Sequence, residues 1–308
     1  MMSVADTARG GTAAGALSML AAMAVIGLID NAVALIARDM GLWQFQLVRG
    51  LICLPLLAAA SVALRQPIRA VSLRAVTARS AVVTVAMSLY FGALAFLPIE
   101  QALAGLFTSP IWILVITALA LRRPVGRARV AAVALGFLGL IVVLEPDPAQ
   151  LSPVILMPVL GGAFYAVGMI ATNTICAREN ALTLLTGMIL CQIALSAVAL
   201  ALIAALAPEA APGADGFLLR GWTWELGAAG PWLLVQAVGS LVGVGLIIRA
   251  YQLGEPSYIA PFEYAAFISG PFFAWALFGH LLGVQQLIGI VLIAAAGTLV
   301  ALRMREAG

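Results

Sequence analysis

Apolar runs of about 20 residues recur along the whole chain, separated by short polar breaks. That is the length at which a helix crosses the hydrocarbon core of a bilayer. The pattern predicts ten spans, at residues 12–37, 42–64, 76–97, 100–121, 129–144, 154–176, 181–206, 231–253, 257–278 and 281–302. The runs are too long and too evenly apolar for the alternation of an outer-membrane barrel, so the spans read as helices. The fifth is short, since about 16 residues rise only about 24 Å. The breaks are short except for 207–230, which carries Glu209, Asp215, Arg220 and Glu225 beside Trp222 and Trp224. This segment is expected to lie along the membrane surface, and no break is long enough for a soluble catalytic domain.

The ninth run departs from the pattern. Pro261, Glu263 and Pro271 lie inside what hydropathy treats as one span. Proline removes a backbone donor and opposes a straight helix, and a carboxylate is costly in hydrocarbon. About eight Ile, Leu and Phe residues contribute about −4 kcal/mol to insertion, against about +3 for a central acid. A span so marginal belongs against other protein or a watery cavity.

Composition agrees: 64% of the 308 residues are hydrophobic and 9% charged, too few polar side chains to clothe a soluble globule. The class is an all-α integral membrane protein. Cys53, Cys176 and Cys191 fall within apolar runs without metal-ligand spacing and read as packing residues. His280, the lone histidine, reads as interfacial. No metal and no cofactor are expected.

All 16 basic residues are arginines. With the N-terminus inside, Arg9, Arg65, Arg69, Arg74, Arg122, Arg123, Arg127, Arg129, Arg178, Arg303 and Arg305 fall on cytoplasmic segments, while Arg38 and Arg220 fall outside. The asymmetry places both termini in the cytoplasm, in a bacterial inner membrane. Trp43, Trp222, Trp224 and Trp232 then cluster at outer ends, where indole suits the headgroup level. The formal charge of +3 is an anchor to the membrane surface and no nucleic-acid footprint.

The chain resembles itself at about half its length. Ala93-Leu94 through Gln101 and Pro110 matches Ala250-Tyr251 through Tyr258 and the ninth run, and Ala131 and Gly139 match Gly289 and Gly297. Five spans per copy is an odd number, so the second copy enters the membrane inverted. The expected units are 1–150 and 151–308, with a substrate site near midplane between them.

Gly254-Glu255-Pro256-Ser257-Tyr258-Ile259-Ala260-Pro261-Phe262-Glu263-Tyr264, with Gly289, Gly297 and Arg303-Met304-Arg305-Glu306, resembles the second repeat of the EamA group of the drug/metabolite transporter superfamily. Gly161-Gly162-Ala163-Phe164-Tyr165-Ala166 is similar to that repeat's first helix. Within the superfamily the chain is most similar to YddG-type amino-acid exporters, with S-adenosylmethionine and riboflavin carriers as near relatives. The resemblance implies a ten-helix inverted-repeat carrier with a central cavity lined by helices 1, 3, 4, 6, 8 and 9. It also implies an acid after the fourth and ninth spans, where this chain has Arg122-Arg123 and Gly279-His280.

Polar and aromatic residues inside the spans are the site candidates. For substrate contact these are Tyr90, Gln101, Trp112, Phe164, Tyr165, Gln236, Tyr251, Tyr258, Glu263 and Tyr264. Asp30 and Glu263 are candidates for ion coupling; Arg49, Pro110, Pro261 and Pro271 for structure or gating. Glu263 can attract an amino group, take a coupling proton, or accept from donors freed at Pro261. Arg49 can hold a carboxylate, pair with Asp30 or Asp39, or snorkel to the outer headgroups. Trp275, Gln192 and Asn173 also lie within spans, and Gly239 and Gly243 form a small-residue seam four apart. The leading expectation is a monomer-sized secondary carrier exporting amino acids by alternating access; the alternative is uptake of S-adenosylmethionine, riboflavin or a similar metabolite. An intramembrane enzyme lacks its nucleophile or metal motif. A structural membrane protein would tolerate loss of Glu263, Arg49 and Tyr165 together.

Overall fold

The computed structural model describes residues 4–93, 96–97, 99–145, 153–211, 216–227, 229–279, 281 and 283–306. Leu94, Asp215 and His280 lie outside them. All regular structure among the described residues is helical. Nine helical stretches there are long and apolar enough to cross a membrane, the first reaching Gly11–Asp39 and the last Val284–Leu302. They belong to α1 (Val4–Asp39), α2 (Leu42–Ala63), α3 (Leu73–Ala93), the pair α4 (Ile99–Leu106) and α5 (Ser109–Leu119), α6 (Arg127–Leu144), α7 (Leu156–Asn173), α8 (Ala181–Leu206), α9 (Ala229–Leu253) and α12 (Val284–Glu306).

Residues 257–278, expected as one span, form three pieces: α10 (Pro256–Ile259), a 3-10 segment (Ala260–Ala265) and α11 (Ala266–Phe278). The break falls where Pro261 has no N–H to give, and Glu263 sits within the 3-10 segment. The fourth expected span breaks likewise. Pro110 sits at the start of α5, where its missing N–H is harmless, but its ring opposes helix at Leu106 four residues before. That residue ends α4.

The helices pair in a reciprocal pattern. α1 packs along α9 and against α11, while α3 packs along α7, which also meets α4 and α5. α2 packs on α8, and α6 on α12. Glycines set the closest approaches. A Cβ on Gly139 of α6 would lie 2.8 Å from the carbonyl oxygen of Gly289, and one on Gly289 of α12 would lie 2.6 Å from that of Gly139. Gly239 and Gly243 of α9 receive Ile29 and Ile26 of α1, so the seam predicted there is a helix contact.

Both ends of the bundle are tied. At the α1–α2 end, residues 216–227 lie over the α1–α2 turn and are tied to it. Phe217 is buried and accepts at 2.7 Å from the Leu42 N–H. The Gln44 side chain donates to the Thr223 carbonyl at 2.6 Å and accepts from its N–H at 2.9 Å. At the α2–α3 end, the buried Glu179 accepts from the backbone N–H groups of Val71 at 2.9 Å and Ser72 at 2.7 Å, just before the N-terminus of α3, where a carboxylate also suits the helix dipole.

Candidate substrate cavity

Between the two ends lies a cavity of about 250 Å³, lined from α1, α2, α3, α4, α5, α7, α8 and α9 and by Glu263 of the 3-10 segment. Its lining is largely apolar and soft, with Met23, Met87, Met169, Met188 and Phe107, and with Phe45 and Phe91 nearer the α1–α2 end. Polar groups gather towards its two ends.

Towards the α1–α2 end, the wall carries Asp30, Arg49, Tyr90, Gln192, Gln236 and Ser240. Arg49 turns inward and does not snorkel. Its guanidinium donates to Gln46, to Gln192 at 3.2 Å and to Ser240 at 3.4 Å, and lies 5.1 Å over the Phe45 ring. These partners are neutral, and among the described residues no acid pairs with it. The pairing with Asp30 or Asp39 considered from sequence is therefore replaced by amides, a hydroxyl and a ring. Gln236 ties α9 to α1 by donating to the Ile29 carbonyl at 2.7 Å, and accepts from Ser240 at 3.1 Å. Asp30 is exposed and lines the wall.

Towards the α2–α3 end, Glu263 is 2% exposed. Tyr251 Oη donates to its Oε1 at 2.6 Å and Ser109 Oγ to its Oε2 at 3.1 Å, and Tyr165 lines the wall with it. The two proline breaks bring these groups together, since Ser109 opens α5 beside Pro110 and Glu263 follows Pro261. Arg79, at 1% exposure, lines the same part of the wall. Its Nε donates to Thr172 Oγ1 at 2.9 Å.

The sequence candidates thus scatter. Asp30, Arg49, Tyr90, Tyr165, Gln236 and Glu263 line the cavity. Tyr251 stands behind the wall, fully buried, and orients Glu263. Tyr258 lies under the Arg129 guanidinium, 4.2 Å from its ring centre, at the α2–α3 end. Tyr264 is buried against Gly136 of α6. Gln101 is buried off the wall, Trp112 packs on the core, and Phe164 is 40% exposed and off the wall. Pro110 and Pro261 are buried at the two breaks, while Pro271 lies within α11. Asn173 donates to the carbonyls of Tyr251 and Gly254 at 2.8 and 3.0 Å, tying α7 to the end of α9. Arg79, Ser109, Ser240 and the methionines were not singled out from sequence. The signal for Arg79 was an arginine inside an apolar run.

No protein-family model matches the chain. It is 25% identical over 198 residues to a riboflavin transporter of Vibrio cholerae, covering 63% of this chain and 60% of that one. It is 28% identical over 203 residues to a riboflavin transporter of Rhizobium johnstonii, covering 66% and 62%, and 22% identical over 220 residues to one of Brucella anthropi, covering 71% and 72%. The matches thus span about three-fifths of the first two relatives. A protein of known crystal structure shares the fold, with a TM-score of 0.72 at 18% identity, covering 96% of this chain and 99% of that one. The chain is a multi-pass helical membrane protein similar to bacterial transporters, and among these relatives the named substrate is riboflavin, not an amino acid.

Proposed function

We propose that the chain is a secondary carrier for riboflavin or a closely similar flat heteroaromatic metabolite. The observation that carries this reading is the cavity itself, lined by methionines and phenylalanines with polar groups gathered towards its two ends. Thioethers and aromatic rings pack well on a flat π-system. A flavin has a tricyclic ring for that apolar lining, a polar ring edge at one end and a polyol chain at the other. The amides and hydroxyls around Asp30 suit the polyol. Amino-acid export, the leading expectation from sequence, gains no support from the relatives.

Two features support alternating access between inverted halves. α1 meets α9 as α7 meets α3, and α1 meets α11 as α7 meets α4 and α5, which is the exchange an inverted five-helix repeat requires. Both halves also break at a proline beside the cavity. The arginine distribution supports both termini in the cytoplasm of a bacterial inner membrane, and membership of the EamA group accords with the same arrangement.

The test is counterflow into proteoliposomes. Internal unlabelled riboflavin should drive uptake of labelled riboflavin, while a panel of amino acids and S-adenosylmethionine should not. Exchange driven only by amino acids would overturn the flavin reading, and no exchange by any of them would overturn the carrier.

A further inference from the structure

Arg79 is the least satisfied charge in the cavity wall. It is 1% exposed, has no acid within 4.0 Å among the described residues, and donates only through Nε, to Thr172. Its Nη1 is buried without a hydrogen-bond partner. A buried donor left unmet costs about 1–3 kcal/mol, and more when charged.

Glu263 has the complementary vacancy. A carboxylate offers about four lone-pair sites. Tyr251 and Ser109 occupy two of them. Acceptor capacity is left on the carboxylate, and Tyr165 lines the same cavity as Glu263 and Arg79. A residue with a spare donor and a residue with a spare acceptor therefore line the same cavity.

We infer that Arg79, Tyr165 and Glu263 form a subsite for a lactam or imide edge, a ring N–H beside a ring carbonyl, with the carbonyl accepting from Arg79 and the N–H donating to Glu263. The inference rests on the flavin reading and deepens it, since the pyrimidinedione of a flavin carries such an edge. It fixes the substrate's direction: ring edge towards the α2–α3 end, polyol towards Asp30, Gln192 and Ser240. The edge is neutral, so it satisfies both groups without adding charge to a wall that already holds two arginines and two acids. A zwitterion would match the same two charges, and the test separates it.

Counterflow of labelled riboflavin is measured with three competitors: riboflavin, N3-methylriboflavin, whose edge N–H is blocked, and lumiflavin, whose edge is intact but whose chain is a methyl. The unaltered protein should bind N3-methylriboflavin at least about tenfold more weakly than riboflavin. Arg79→Gln, which removes the donor to the ring carbonyl, should weaken riboflavin and the N3-methyl compound alike by about 10–100-fold, whereas Glu263→Met, which removes the acceptor for the ring N–H, should bring the N3-methyl compound near parity with riboflavin; the preference for riboflavin over lumiflavin should persist in both. Where Arg79→Gln does not fold, Arg79→Lys, which keeps the charge and loses the planar fork, carries the same comparison. Discrimination against the N3-methyl compound that survives in Glu263→Met or is missing from the unaltered protein, or riboflavin binding that Arg79→Gln leaves unchanged, overturns the subsite while flavin transport stands. Competition by amino acids in place of the flavins assigns the two charges to a zwitterion and overturns it. Absence of any flavin exchange overturns both this inference and the reading beneath it.

Discussion

Tyr251, near the C-terminal end of α9, donates its hydroxyl to the Glu263 carboxylate at 2.6 Å, across the turn that separates α9 from the broken span. Both side chains are buried, at 0% and 2% exposure. The bond therefore joins the end of one helix to the unwound backbone of the next. Loss of the hydroxyl in Tyr251→Phe should lower stability by about 1.5–3 kcal/mol, the range for a bond to a charged acceptor. In a Glu263→Met background the same change should be neutral or stabilising, because the hydroxyl it removes is already without its acceptor. Thermal unfolding in detergent reads both. Equal loss in the two backgrounds would deny that this bond carries the effect.

Gly139 and Gly289 face each other across α6 and α12, each backbone occupying the space where the other's Cβ would stand. Carbonyl oxygens at 2.8 and 2.6 Å cannot rotate away as a side chain can. Gly139→Ala and Gly289→Ala should each lower stability by about 1–3 kcal/mol. The double variant should lose less than the sum, because one methyl already parts the helices. Additive losses, measured by thermal unfolding, would show two independent contacts.

What the sequence made legible was local. Proline acts on its own backbone and on the residue four before it, so the breaks at Pro110 and Pro261 followed from the residue type. Glu263 stood out because an acid in an apolar run is costly wherever the helix turns. The direction each side chain faces was not legible. Phe164 and Tyr165 are neighbours about 100° apart around α7, and only Tyr165 meets the cavity; Glu263 and Tyr264 likewise part company. Arg79 escaped notice because an arginine within two turns of a span's end ordinarily snorkels to the headgroups. Its inward course depends on Thr172 of α7, far along the chain.

Arg129 and Glu255 form an ion pair at 3.0 Å, with side chains 12% and 34% exposed. An exposed pair contributes little, and Arg129 has other partners in Ser257, the Pro124 carbonyl and the Tyr258 ring. Glu255→Gln should therefore change stability by less than about 1 kcal/mol. Arg129→Ala, which removes the whole cluster, should cost more. A larger loss from Glu255→Gln than from Arg129→Ala would place the energy in the charge pair itself.

Sidedness is the last expectation to be tested, and it rests on charge. Arg65, Arg69 and Arg74 surround the α2–α3 turn, and Arg122, Arg123 and Arg127 surround the α5–α6 turn. Both turns lie at the end of the bundle opposite the cap formed by residues 216–227. An excess of arginine on short loops marks the cytoplasmic face. Arg69 and Trp224 are both exposed, Trp224 at 86%, so a cysteine at either position is open to reagent. In a background lacking Cys53, Cys176 and Cys191, Trp224→Cys should react with a membrane-impermeant maleimide in intact cells. Arg69→Cys should react only after the membrane is opened. The reverse order would invert the orientation and with it the side on which the Asp30 end of the cavity meets water. Labelling of both from one side would deny that α2 and the helices around it cross the membrane in the register described, and would remove the basis for an inverted repeat.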